Sequence, residues 1–254
     1  MHENHNNPIT APSENLTQEA VESILENLPT ELETEVNLPS RCRFYTLPDP
    51  ASPVSVRPMT FEDEKAIATI KKSDRMDPIN YLLSKCVNNI NISELLLMDK
   101  LFLLYKLREV SYGTSYKVTM TCPKCGSESE VNIDISKLLI NEVPDDLTDP
   151  RTVHLPVIKK DAIVRFPRLS EEKYLNILDS KKVQLWRFIE DIAGHKDKKV
   201  ISKVLEKLPL KDMHILIAQL TLPEYGLDSK INYVCGDCEA ESVIDLPIGD
   251  NFFS

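Results

Sequence analysis

Glycine is scarce in this chain, with 6 residues among 254, against 17 prolines. A phosphate-cradling loop needs closely spaced glycines, and neither a Walker-type nor a Rossmann-type run is present. No apolar stretch reaches the roughly 18 to 20 residues that a membrane span needs. The opening MHENHNNPIT has no basic n-region and no apolar h-region, so no secretory signal and no membrane partner are expected, and the chain is expected to fold in a cytosol. The five histidines (His2, His5, His154, His195 and His214) form no metal pair at helical spacing, and no nucleophile elbow or serine-triad order is visible. No catalytic residue is therefore assigned and no enzyme is expected; His214, on an apolar helix, reads as a core residue. Basic charge is missing where acid is dense: residues 1–40 hold eight Glu and no Lys, Arg or Asp. The rest of the chain carries 32 acidic and 30 basic residues. Nucleic-acid binding needs a basic footprint. The short clusters at Lys71-Lys72, Lys159-Lys160, Lys181-Lys182 and Lys196 to Lys199 read as solvated helix ends or turns.

The polar residues 1–16 lack the apolar content to fold. Thr17 can cap a short helix, with Val21, Ile24, Leu25 and Leu28 on one face. This acidic arm, residues 1–37, can dock on its own body or on a partner. In the body, Arg41 to Thr46 and Val54 to Arg57 predict strands around a proline-rich turn. Thr60 and Asp63 predict a capped helix from Phe61 to about Lys71. Pro78 opens a helix carrying Tyr81, Leu82 and Cys86 on its apolar side. A third helix spans Asn91 to Val110 and stops at Tyr112-Gly113. Strands follow at Ser115 to Thr121 and Glu128 to Ile135. The second half repeats this order. Strands are expected at Arg151 to Val157 and Ala162 to Phe166, and helices from Ser170 to about Asp179, through Trp186, Phe188, Ile189 and Ile192, and over 199–207 and 210–221. Tyr225-Gly226 ends that run, and strands flank a second cysteine pair. Trp186 and the Phe252-Phe253 end read as packing residues, with the aromatic tail a docking handle in the alternative.

The halves match at an offset of 113, with 11 identities over positions 99–135, where roughly two or three are expected by chance. Asp99 pairs with Asp212, Leu103 with Leu216, Leu107 with Leu220, Tyr112-Gly113 with Tyr225-Gly226, Lys117 with Lys230, Glu128-Ser129 with Glu241-Ser242 and Ile135 with Ile248. Cys122 and Cys125 pair with Cys235 and Cys238. A weaker echo upstream sets Val56-Arg57-Pro58 and Glu64-Lys65 against Arg165-Phe166-Pro167 and Glu172-Lys173. The fold class expected is α+β: a duplicated unit of β-hairpin, helices and zinc-knuckle hairpin, with the first repeat over 38–140 and the second over 141–254.

Cysteines stay reduced in a cytosol, so paired ones read first as metal ligands. Two thiolates separated by two residues on a tight turn can hold one ion together, and zinc takes four ligands. CPKCG and CGDC each supply half a site. A thioredoxin-like redox pair would sit at a helix start, whereas strand signals flank both pairs here. Cys122, Cys125, Cys235 and Cys238 are therefore expected to bind one structural zinc per chain, joining the knuckles in one ribbon. Four thiolates leave no open position for water or substrate, and such a site contributes on the order of 10 kcal/mol to folding. Cys42 and Cys86 have no paired spacing and read as buried apolar thiols.

The stretches Leu38-Pro39-Ser40, Phe44-Tyr45, VSVRPMTFEDEKAI (54–67) and YGTSYKVTMTCPKCG (112–126) together resemble the baseplate hub and hub-assembly proteins of T-even-like contractile-tailed bacteriophages. The resemblance is carried over about residues 38–135. It implies a non-enzymatic part in building the tail baseplate hub, as a retained subunit or an assembly factor. The partners it implies are other hub or tail proteins, met in the host cytoplasm during assembly or in the virion tail. The acidic arm of residues 1–37 is longer than the lead the family implies. A zinc-ribbon nucleic-acid module is the rival reading. Against it, Lys117, Lys124 and Lys230 beside the knuckles are outnumbered by Glu128, Glu130, Asp237, Glu239 and Glu241.

Overall fold

A computed structural model of the chain describes residues 14–25, 33–69, 77–175, 184–221, 225–248 and 252–253. It divides after Glu33. Among its described residues the N-terminal unit has one helix, α1 (Glu14–Leu25). Thr17 lies inside this helix and does not cap it. Val21, Ile24 and Leu25 are exposed. Leu28, His2, His5, Lys71-Lys72, Asp179 and Lys181-Lys182 lie outside the described residues.

The second unit is α+β. It begins with β1 (Thr34–Val36), which pairs with β2 (Val54–Val56). The strand expected at Arg41 to Thr46 is absent. That segment is a run of turns closed by Arg41 N–H to Leu38 O at 2.8 Å and Arg43 N–H to Ser40 O at 3.1 Å. Arg41 and Cys42 have φ of +52° and +56°, which a strand excludes. Side-chain demand explains the turn: the Arg43 guanidinium donates to the carbonyls of Pro144, Asp145 and Leu147 at 2.7, 2.8 and 3.0 Å. Arg41 donates to Val143 O at 3.1 Å and pairs with Asp145.

The helix α2 (Phe61–Thr69) starts with the expected reciprocal cap. Thr60 N–H donates to Asp63 Oδ2 at 2.8 Å, and Asp63 N–H donates to Thr60 Oγ1 at 3.3 Å. The next, α3 (Pro78–Cys86), is capped by Asp77 and buries Leu82, Leu83 and Cys86, with Tyr81 half-buried. It runs into β3 (Val87–Asn88), which completes the sheet β1-β2-β3. The long helix α4 (Leu97–Tyr112) starts later than Asn91, because Ile92–Glu94 forms a separate 3-10 turn. Gly113 stops it, as expected, at φ +85° with its N–H on Glu109 O. A hairpin, β4 (Ser115–Thr121) and β5 (Glu128–Asp134), follows, then β6 (Ile140–Asn141).

The second half opens with the antiparallel sheet β7 (Arg151–Leu155), β8 (Lys160–Val164) and β9 (Ile189–Ile192). Two expected helices are corrected here. The segment at Ser170 is a 3-10 helix, Leu169–Tyr174, whose N-cap is Arg168. Residues Leu185–Phe188 form another, and Ile189 to Ile192 are strand. The spacing of Trp186, Phe188, Ile189 and Ile192 suits a helix locally. Pairing of Ala162 with Ile192 and Val164 with Ile189 puts the two isoleucines in the sheet instead. The helix α5 (Lys198–Leu205) is capped by Asp197, and α6 (Leu210–Thr221) follows. After β10 (Gly226–Leu227), which pairs with β6, a second hairpin joins β11 (Lys230–Val234) and β12 (Glu241–Asp245).

Two main cores result. One holds β1 to β3, α3, α4 and residues of both hairpins; the other holds β7 to β9, α5 and α6. The chain end joins the first. Phe252 is fully buried, with its ring edge-on to Tyr105 and Tyr116 at 5.0 and 5.3 Å. Tyr105 Oη donates to Leu246 O and Tyr116 Oη to Pro247 O, at 3.2 and 3.0 Å. These bonds tie the end of the second hairpin to α4 and to β4 of the first half.

Candidate metal centre

Each cysteine pair sits in the turn of a hairpin, and the two turns are closed alike. Cys122 N–H donates to Ser127 O at 2.8 Å, and Gly126 N–H to Cys122 O at 2.9 Å. In the second turn, Cys235 N–H donates to Ala240 O at 3.1 Å, and Glu239 N–H to Cys235 O at 3.0 Å. The strands agree too: Lys117 faces Asn132 and Thr121 faces Glu128, while Lys230 faces Asp245 and Val234 faces Glu241. Each pairing in the second hairpin is the first shifted by 113.

The turns meet sulfur to sulfur. All four Sγ atoms lie within 4.8 Å of one another. Close approaches run between hairpins: Cys122 to Cys238 at 3.8 Å and Cys125 to Cys235 at 3.7 Å. Four thiolates around an ion at about 2.3 Å stand about 3.8 Å apart in a tetrahedron. The donor set and its spacing therefore fit a tetrahedral thiolate-bound metal such as zinc, with all four positions filled by protein. Cys122 and Cys235 are each 1% exposed, whereas Cys125 is exposed and Cys238 half-buried.

Electrostatics point the same way. The Ser127 hydroxyl lies 3.1 Å from Cys125 Sγ and 3.3 Å from Cys235 Sγ. It lowers the Cys125 thiol and, with the amides of Cys238 and Asp237, holds Cys235 down to about 5. Cys238 goes the other way. The Ala240 amide lowers it, but the Cys125 thiol, burial and the other two sulfurs push it up to about 12. Packed thiols oppose one another's ionisation, and a cation removes that conflict. Across the hairpins, the Ser129 and Tyr233 hydroxyls meet at 2.8 Å.

The other residues weighed from sequence lie elsewhere. Cys86 is buried and its thiol is raised to about 11 by burial; Cys42 is half-buried and also raised by burial. Neither is in the sulfur cluster. His214 is exposed on α6, so the core reading of it is corrected; Leu216 and Leu220 face inward instead. His154 is exposed and pairs with Asp161 at 2.7 Å. Trp186 is half-buried against the second core, and Phe252 is a packing residue of the first.

Sequence reasoning missed what Asp99 and Asp212 do. Both are fully buried in the first turn of their helices. Asp99 accepts Ser40 N–H at 3.1 Å and Tyr45 Oη–H at 2.6 Å. Asp212 accepts the N–H groups of Val157 and Ile158, each at 3.0 Å. Each carboxylate thus ties the link between the first two strands of its sheet to the helix that precedes its hairpin. Their identity at the 113 offset was the available signal. A second pair of contacts matches at an offset of 108. Arg57 grips Asp63 at 2.7 Å and Arg165 grips Glu171 at 2.7 Å, one residue before the Glu-Lys echo. Ser127 gave no signal, because its counterpart is Ala240.

A family model described as T4 bacteriophage base plate protein matches residues 40–254. No curated protein and no solved structure matches the chain. Among the described residues, no helix is long and apolar enough to cross a membrane.

Proposed function

Because the chain belongs to the T4 bacteriophage base plate protein family, we propose that it is a non-enzymatic subunit or assembly factor of the baseplate hub, held rigid by one zinc ion. Cys122, Cys125, Cys235 and Cys238 bind that ion, and the second unit is two copies of one ancestral fold with its two knuckles joined as a single ribbon. The observation that carries this reading is the cluster of four sulfurs within 4.8 Å, drawn from hairpins more than a hundred residues apart in the chain. Four protein thiolates complete the coordination shell, which suits a structural role and leaves no position for substrate.

The duplication is supported by the common hairpin register, by the two buried aspartates and by the two matching Arg–carboxylate grips. Both three-stranded sheets also run in the order of their strands along the chain. The halves differ in helix type and length, with 3-10 turns in the second where α2 and α3 stand in the first, and in the place of one short strand, since β6 follows the first hairpin and β10 precedes the second. In this reading, residues 38–140 and 141–254 are the repeats, and residues 1–37 are the acidic arm. The strand β1 takes three residues from that arm into the first repeat's sheet.

Nucleic-acid binding is not favoured. The exposed Lys117, Lys124 and Lys230 stand among exposed Glu128, Glu130, Asp237, Glu239 and Glu241, which opposes a phosphate backbone. The partners are other hub or tail proteins, met in the host cytoplasm during assembly or in the virion tail. Affinity capture of the tagged full chain from phage-infected cells, followed by electron microscopy of the tail, tests the assignment. Recovery of hub proteins, with or without density for this chain in the finished baseplate, separates subunit from assembly factor. Capture of no tail protein contradicts the hub role while leaving the metal site standing.

A further inference from the structure

The outer side of α5 is left open. Ile158, Val200, Val204 and Leu208 line a groove of about 660 Å³, and Lys203 and Lys207 stand at it, with Glu206 the single acid among its lining residues. Val200 is exposed, and so are the chain neighbours of the groove on either side: Val157, beside Ile158, and Leu210, which is 73% exposed, beside Pro209. Aliphatic surface of this kind between lysines suits a narrow apolar ridge flanked by acid.

The chain itself carries such a ridge. On α1, Val21, Ile24 and Leu25 are exposed at i, i+3, i+4 spacing, Ile24 at 75%. Glu14, Glu19 and Glu22 lie in the same helix, within a stretch of 40 residues that has no base. Ridge and groove are complementary in both apolarity and charge, and every copy of the chain brings both.

We propose that α1 of one copy docks in the α5 groove of a second copy. Its Val21, Ile24 and Leu25 meet Val200, Val204 and Ile158, and its Glu22 lies against Lys203 and Lys207. Reciprocal exchange makes the contact twice in a twofold dimer, which raises the area of one short helix towards that of a stable interface. The surface is separate from the sulfur cluster, so this inference and the zinc reading can fail independently.

Sedimentation of the full chain over a dilution series tests it. The wild-type chain is expected to run as a dimer that dissociates on dilution. The Ile24→Asp/Leu25→Asp variant and the Lys203→Glu/Lys207→Glu variant are each expected to weaken the dimer at least tenfold, with an unchanged far-ultraviolet circular dichroism spectrum reporting an intact body. Charge reversal gives the sharper arm. A Glu19→Lys/Glu22→Lys chain and a Lys203→Glu/Lys207→Glu chain each associate poorly alone, yet mixed they pair a reversed helix with a reversed groove, and dimer returns. Zero-length cross-linking of isotopically mixed wild-type copies should join Glu22 to Lys203 or Lys207 between copies. A wild-type chain that stays monomeric at every concentration, a mixture that fails to dimerise, or links found only within one copy would overturn the proposal.

Discussion

The two cysteine turns close with the same hydrogen bonds but with different residues. In the first, Gly126 takes the left-handed conformation at φ +75°; in the second, Glu239 takes it at +54°. The first has Ser127, whose hydroxyl reaches a sulfur of each hairpin, where the second has Ala240. On the outward strand faces, Thr121 and Glu130 of the first hairpin become Val234 and Val243, both exposed. What the turns keep is the backbone pattern and the sulfurs. The intervening positions are free to vary because they set neither the bite of the thiolates nor the register.

The asymmetry extends to the cores. The first half contributes the longer helix and takes in both hairpins together with Phe252. The second has the longer strands in its three-stranded sheet but gives its hairpin away. An ion held by four sulfurs from hairpins that share one core would clamp the two halves of the chain together and would not be a local staple.

The strongest way to break the comparison is to remove one turn's ligands. Cys122→Ser/Cys125→Ser and Cys235→Ser/Cys238→Ser should abolish metal binding alike, each forfeiting on the order of 10 kcal/mol of binding free energy. Metal analysis and the thermal transition read the loss, and a surviving site in either variant would show that the turns do not share one ion. Next come the buried aspartates. Asp99→Ala leaves the fully buried Ser40 N–H and the hydroxyl hydrogen of half-buried Tyr45 without their acceptor and should cost about 3 kcal/mol. Asp212→Ala frees two amides next to exposed Val157, where water can replace the carboxylate, and should cost about 1 kcal/mol. Urea midpoints rank the two.

Acid separates two carboxylates of the first half. Hydrogen bonds from Arg57 hold Asp63 down to about 2, from 3.8 in the unfolded chain. A lowered folded value means stability present above pH 3.8 and lost as pH falls through about 2. It amounts to about 2 kcal/mol at neutral pH. The stability gap between wild type and Asp63→Asn, from urea midpoints, should narrow across that window. Burial raises the Asp99 carboxyl, so its share has the opposite sign and weakens as pH climbs above its unfolded value. The smallest effect is in the turns themselves. Gly126→Ala should cost about 1 kcal/mol and Glu239→Gly should gain no more than that, since only the first introduces left-handed strain. Thermal melts of the zinc-loaded proteins measure both.

Much of this was legible where the signal is local. The Thr60–Asp63 cap, the Pro78 start, the Gly113 stop and the strands beside the cysteines stand at or near their expected positions, because each depends on a few adjacent residues. The clustering of Cys122, Cys125, Cys235 and Cys238 followed from repeat arithmetic. Errors came where distant partners decide. Arg41 to Thr46 has strand-like composition, but its arginines are held by carbonyls about a hundred residues on. Ile189 to Ile192 fits a helical period, but its place is beside β8. His214 lies on an apolar helix, and only the packing of α6 shows that its side faces out.

X-ray absorption at the zinc edge, on full chain purified without added metal and quantified for zinc, addresses the shared centre most directly. One zinc per chain with four sulfur neighbours at about 2.3 Å is the expected result. A chain without zinc, or a zinc with two sulfurs and light-atom ligands from a single turn, would contradict the account.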